Sequence, residues 1–245
     1  MARDLSAVEL LDAWEEGRAR SSPSRALTLL AAMFPEASRD ALAALSIGQR
    51  DAQLLRLREA LWGPRMAAVS ACPGCREQLE LTLDTGELLS ASNPTQLDEI
   101  SLSVSGYDVT FRLPTTIDVA VAEAELDGES ARALLLDRCL LSAQQGAAQI
   151  SSAELPPEVV LSISESMSEA DPLANIQLRL ECPACQLNWR AAFDIVSFLW
   201  TEIEVWARRI LRDVHTLAWA YGWREREILA LSPARRQFYL DMVAV

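Results

Sequence analysis

The chain contains no lysine: all 22 of its basic residues are arginine, set against 35 acids. The missing lysine reads as base composition of the source genome, but the net charge of −13 bears on function. A chain of this sign repels nucleic-acid phosphates. Histidine is almost absent too. His215 stands alone, with no nearby Cys or His to share a metal and no identifiable nucleophile to serve; a packed or half-exposed core position is expected for it. No phosphate-binding glycine loop, dinucleotide fingerprint or H-E-x-x-H occurs. No apolar run reaches the roughly 18 residues that would suggest a membrane span. The opening "MARDLSAVELLDAWEEG" places acids where a signal peptide needs an apolar core. These absences predict a cytoplasmic chain that is not an enzyme, with no membrane span, no nucleic-acid partner and no small-molecule substrate.

What is present is unevenly distributed. Residues 76–181 hold nineteen acids and five arginines, a net of −14, while 1–75 balance and 182–245 carry a net of +1. Half of the residues are hydrophobic, enough for a real core. Its five cysteines include two matched pairs, "ACPGC" with Cys72 and Cys75, and "ECPAC" with Cys182 and Cys185. Each pair lies beside a strand-like alternation: "EQLELTLD" follows the first, while "NIQLRLE" precedes and "NWRAAFD" follows the second. Two C-P-x-C turns, each tied to a strand, are the halves of a zinc ribbon whose four thiolates hold one structural Zn2+ per chain. Four thiolates close the coordination sphere, so the ion is a staple between distant chain regions. The duplication disfavours thioredoxin-like redox chemistry, and a reducing compartment disfavours disulfides. Cys139, on a helical pattern in "ARALLLDRCLL", is expected to be a buried free thiol.

Around the cysteines the pattern is mostly helical. Ser6 followed by Glu9 predicts a capping box opening a helix with Val8, Leu11 and Trp14 at helical spacing. A second helix starts near Pro23 and stops at Pro35, and the stretch to Gly63 holds two more, broken around Ile47-Gly48. The insert opens after "NPTQLD" with a hairpin turning at Gly106, then helices over 116–126, 129–143 and 156–169. Its acids form a solvated face or a docking face for a basic partner. From Phe193 a helix of roughly 26 residues would reach about 40 Å, with Phe198, Leu199, Ile203, Trp206, Ile210, Val214, Leu217 and Tyr221 on its apolar stripe. Gly222 ends it, and two short helices follow, the last opened by Ser232-Pro233. Trp219, Tyr221, Trp223, Arg235 and Arg236 cluster in this tail as candidate partner-binding residues, since Trp, Tyr and Arg are favoured interface anchors.

The fold expected is therefore α+β and mostly helical. It comprises an N-terminal helical region (1–70) forming a bundle that packs on the ribbon, ribbon halves at 71–90 and 175–195, an acidic inserted α/β subdomain (91–174), and a C-terminal helical region (196–245) of one long and several short helices. The tail also carries a more specific pattern: Asp213-Val214-His215, Leu217-Ala218, Tyr221-Gly222-Trp223, Glu225, Ile228-Leu229, Arg235-Arg236 and Tyr239-Leu240. This block resembles the T-even phage baseplate protein family, whose relatives occur in contractile tailed phages and phage-tail-like contractile injection systems. "FDIVSFLW", "LSIGQRDAQLLRLREALWGPR", "LPTTIDVA" and the two knuckles resemble its longer, zinc-knuckle members. The resemblance implies a structural or assembly protein that joins other baseplate or tail subunits in a phage tail-like particle. The alternative is a zinc-ribbon nucleic-acid-binding regulator, because "YGWREREILALSPARRQFYL" superficially reads as a helix-turn-helix; the pI near 4.6 weighs against it.

Overall fold

The computed structural model describes residues 3–90 and 99–243. The chain begins with helices α1 (Ala7–Gly17), α2 (Ser22–Met33), α3 (Arg39–Ala43) and α4 (Ile47–Trp62), then a hairpin of β1 (Arg65–Ala71) and β2 (Gln78–Asp84) and a short α5 (Thr85–Ser90). The middle holds β3 (Ile100–Val104), β4 (Tyr107–Phe111), α6 (Thr116–Ala122), α7 (Gly128–Cys139), β5 (Leu140–Gln145), β6 (Ala148–Gln149) and α8 (Pro157–Ala170). A second hairpin, β7 (Gln177–Glu181) and β8 (Asn188–Ala192), leads into α9 (Ile195–Tyr221), α10 (Glu225–Leu229) and α11 (Pro233–Val243). This is the α+β, mostly helical fold expected. The entry to the insert at "NPTQLD" lies outside the described residues.

Two compact units divide the chain. One joins its two ends, up to Glu36 and from Val196 onward; the other holds Ala37–Ile195. Helices α1 and α2 belong to the first unit, α3 and α4 to the second.

In the first unit, Ser6 and Glu9 cap α1 reciprocally: the Glu9 amide donates to Ser6 Oγ, and the Ser6 amide donates to the Glu9 carboxylate. Leu10, Leu11 and Trp14 form its buried face, and α1 packs on α2, which buries Ala26, Leu29, Leu30 and Met33. The Arg25 guanidinium lies over the Trp200 ring, 4.7 Å from its centroid. Helix α9 runs 27 residues, and Val196, Leu199, Ile203, Ala207, Ile210, Val214 and Leu217 are buried along one face. Burial of each large aliphatic side chain contributes about 1.5–3 kcal/mol. Of the stripe expected from sequence, Tyr221 is exposed and Phe198 and Trp206 are only half-buried. Gly222 terminates the helix at φ +70°, its amide donating to the Ala218 carbonyl; a left-handed residue of this kind favours glycine.

In the second unit, the break between α3 and α4 falls at 44–46, so Ile47-Gly48 open α4 behind a Ser46–Gln49 capping box. The Gly48 amide donates to Asp171 Oδ2 at 2.9 Å in a buried site, and a Cβ on Gly48 would stand 1.7 Å from Asp171 Oδ1. Only glycine admits that approach. The insert is larger in β-structure than its one expected hairpin: β3-β4-β5-β6 form an antiparallel sheet. Ser105 and Gly106, both at positive φ, make the two-residue turn from β3 to β4. Val109, Phe111 and Ala143 from the sheet pack with Leu155, Val159 and Ile163 as the insert's core.

Two expected helices need correction, and the one over 116–126 already ends at Ala122. The helix over 129–143 ends at Cys139, and Leu140–Gln145 become strand β5. The leucine-rich run suits either period, and pairing with β4 sets Ala143 opposite Val109 in the core. Below this junction, Asp118 is fully buried on α6. Its carboxylate accepts from Arg112 Nη1 (2.6 Å) and Nη2 (2.9 Å), Arg138 Nε (2.8 Å), and the Thr115 amide and hydroxyl. Burial raises the carboxyl's pKa, but Arg112 first, then Thr115 and Arg138, hold it well below the usual carboxylate range.

Candidate metal centre

Both C-P-x-C turns are built the same way. In the first, the Cys72 amide donates to the Glu77 carbonyl (2.8 Å), and the Arg76 amide donates back to the Cys72 carbonyl (2.9 Å). In the second, Cys182 and Leu187, and Gln186 and Cys182, repeat these bonds at 2.9 Å each. The residue after each second cysteine lies in the left-handed region, Arg76 at φ 66° and Gln186 at φ 59°. Neither is glycine, so the strained φ is imposed by the knuckle. The turns join hairpins of like register, with Ala71 opposite Gln78 and Glu181 opposite Asn188. Each knuckle therefore sits at the tip of its own hairpin, and the first strand, β1, is an element the sequence reading left unassigned. Its "RMAAVSA" carries small residues where a strand signal needs large ones.

The two tips meet. The Sγ atoms of Cys72, Cys75, Cys182 and Cys185 all lie within 4.8 Å of one another, with Cys72–Cys185 at 3.6 Å and Cys75–Cys182 at 3.5 Å. A zinc ion with bonds of about 2.3 Å to sulfur in a tetrahedron implies sulfur–sulfur edges of about 3.8 Å. The four thiols fit such an ion and could hold it. All four are free thiols, too far apart for a disulfide, whose bond is about 2.05 Å. The first cysteine of each pair is buried and the second exposed. Cys72, Leu79 and Cys182 form a small core with Leu81 and Trp189 packed against it. Sequence reasoning placed these apolar side chains on strand faces without assigning them to the cysteine cluster. At Gly74 a Cβ would stand 3.0 Å from Leu187 Cδ2 and 3.8 Å from two of the sulfurs, so the knuckle takes only a small residue there; the matching position is Ala184.

The electrostatics suit a cation. The Cys75 amide, then that of Gly74, bring the Cys72 thiol down to about 7 against its burial. At Cys75 the Glu77 amide acts downward, but Cys182, desolvation and the other two cysteines outweigh it and push that thiol up to about 12. Cys185 is also raised: the Leu187 amide and Cys75 pull down, while desolvation, Cys72 and Cys182 prevail. Four thiolates this close would repel, and a divalent ion at their centre would supply the opposing charge.

The remaining singled-out residues fall elsewhere. Cys139 is buried at the end of α7, its thiol pushed up to about 11 by burial first and by Asp118 second. His215 is exposed on α9, turned away from the core where it was expected. Of the tail candidates, Trp219 is 87% exposed, Tyr221 and Arg235 are exposed, and Trp223 is half-buried. Tyr221 stacks on Trp223 with ring centroids 4.7 Å apart, and Tyr239, absent from the sequence-based set, meets Trp223 edge-on at 4.8 Å. Arg236 turns inward instead, 7% exposed, with its guanidinium 3.6 Å from the Asp213 carboxylate and donating to the Leu231 carbonyl.

Among known proteins, the family model described as T4 bacteriophage base plate protein matches residues 15–200. That span contains both knuckles, "LSIGQRD" and "LPTTIDVA". It ends at Trp200, before the tail block that carried most of the sequence resemblance. No curated protein and no solved structure matches the chain.

Proposed function

Because the chain belongs to the T4 bacteriophage base plate protein family, as a structural part of a phage tail baseplate, we propose that it works as a zinc-stapled scaffold in the baseplate of a contractile injection system. Cys72, Cys75, Cys182 and Cys185 would hold the ion. The chemistry it supplies is purely mechanical, because four sulfurs leave no position for water or substrate. The staple fixes the two hairpin tips, and with them both ends of the acidic insert. The working division is the one expected from sequence: helices before residue 71, ribbon halves at 71–90 and 175–195, the insert between them, and a docking tail from 196.

Docking is assigned to the tail. Trp219, Tyr221, Trp223 and Arg235 face neighbouring subunits as aromatic and arginine anchors. Arg236 serves them indirectly, by tying α11 to α9 through Asp213. The observation that carries the reading is the family match over 15–200; the shared geometry of the two knuckles supports the staple within it. Mass spectrometry of purified sheathed particles tests it. A fixed ratio of this chain to the other particle subunits is expected for an incorporated component. Presence only in precursor fractions would make it an assembly factor, and absence from both would refute the reading.

A further inference from the structure

Among the described residues, two faces of opposite charge are exposed to solvent. On α9, Val205, Arg208, Arg212, His215 and Trp219 recur at helical spacing, and all are exposed. They lie on the side of the helix away from its buried stripe. This face carries two arginines and no carboxylate; Glu204 pairs with Arg208 from the flank. In the insert, Ile117 and Val121 stand one turn apart on the outside of α6, and Leu126, in the turn before α7, is wholly exposed. Exposed Glu123, Glu125 and Glu129 are interleaved with them, and no basic residue intervenes before Arg132. Asp127 is already committed, its Oδ1 accepting from the Glu129 and Ser130 amides at the start of α7.

We propose that these faces are the two halves of one interface between copies of this chain, the acidic apolar face of α6–α7 in one copy seating on the arginine–tryptophan face of α9 in the next. Each half supplies large apolar side chains, and each supplies the charge the other lacks. Trp and Arg are the residues most often found as interface anchors. Like-with-like pairing is disfavoured: residues 99–174 hold thirteen acids and three arginines, a net of −10, so two inserts repel. The pairing is therefore between unlike faces. Such an interface closes into a reciprocal dimer or a larger ring if the rotation between copies allows it, and otherwise extends as a filament. The inference rests on the docking role assigned above to the tail.

Sedimentation of the full chain at low salt, over a range of concentrations, tests it. Oligomers that grow with concentration are expected, and they should dissociate toward 1 M salt, where charges are screened beyond about 3 Å. Reversing one face with Glu123→Arg, Glu125→Arg and Glu129→Arg, or the other with Arg208→Glu and Arg212→Glu, should weaken association about tenfold or more. Mixing the two variants restores charge complementarity at every contact and should restore association, which also shows that both variants fold. A chain that stays monomeric, or one that associates equally well after either reversal, overturns the inference. A monomer that is nonetheless present in fixed ratio in particles overturns only the self-pairing and leaves the baseplate reading standing.

Discussion

Asp51 shows how one side chain sets a pH dependence. It is buried on α4, where its Oδ1 accepts from Arg50 Nε at 2.7 Å. Burial raises its carboxyl to about 6, against the pull of Arg50 and with the help of Asp194 and Asp171. In the unfolded chain the same group titrates near its ordinary value of about 3.9. Between these values the folded state binds more protons, so stability falls as pH rises from about 4 to about 6 and levels off above. The contribution is about 3 kcal/mol over that window. Thermal unfolding of wild type should therefore show a higher Tm at pH 5 than at pH 7, and Asp51→Asn should flatten the difference. An unchanged slope in the variant would remove Asp51 from this role. None of this was legible in "GQRDAQ", because charged residues on an amphipathic helix read as its wet face. The burial of Arg50, Asp51 and Arg58 on α4 follows from tertiary contacts that periodicity does not carry.

Elements that announce themselves locally were legible: the Ser6 capping box, the Gly106 turn, the long α9 with its Gly222 stop. Elements decided by partners were not. Strand β5 exists because β4 lies beside it, and the leucines of 134–141 favour a helix until that pairing is available. Asp118 looked like one more acid of the insert, yet it joins Arg112 after β4, the Thr115 cap of α6 and Arg138 on α7. Its partners are 6, 3 and 20 residues away, so no short motif displays the knot. Asp118→Asn should cost about 2–3 kcal/mol at pH 7, allowing for the partial exposure of both arginines. Because its carboxyl titrates well below the usual range, the stabilisation is present above about pH 4 and is lost as pH falls further. Chemical unfolding of the variant and wild type should therefore differ at pH 7 and converge toward pH 2. A constant difference across that range would mean the loss is steric.

At the scale of the whole molecule, the duplicated C-P-x-C was the strongest signal in the chain, because a repeated motif survives any distance between its copies. What it did not reveal is that each copy tips a hairpin, or that Arg76 and Gln186 carry the turn's strain. Cys182→Ser should abolish stoichiometric metal binding, lower the Tm by several degrees and open both hairpins to protease cleavage. A variant that kept its metal content and Tm would refute the staple. Metal analysis, thermal unfolding and limited proteolysis read these three outcomes separately. In wild type, alkylation after chelation should label the four clustered thiols while Cys139 stays protected in its core.

The facing sulfurs of Cys75 and Cys182 are 107 residues apart along the chain. On the ribosome, at about 5–20 residues per second, the first knuckle waits about 5–20 seconds for the second. The insert is translated wholly within that interval, so its sheet and the Asp118 knot can form before the two knuckles meet. Helices α1 and α2 can pack on each other at once, but contacts such as Arg25 on Trp200 wait longer still, until α9 emerges. Chain order thus lets the insert close first, the cysteine cluster next and the unit of α1, α2 and α9 after them.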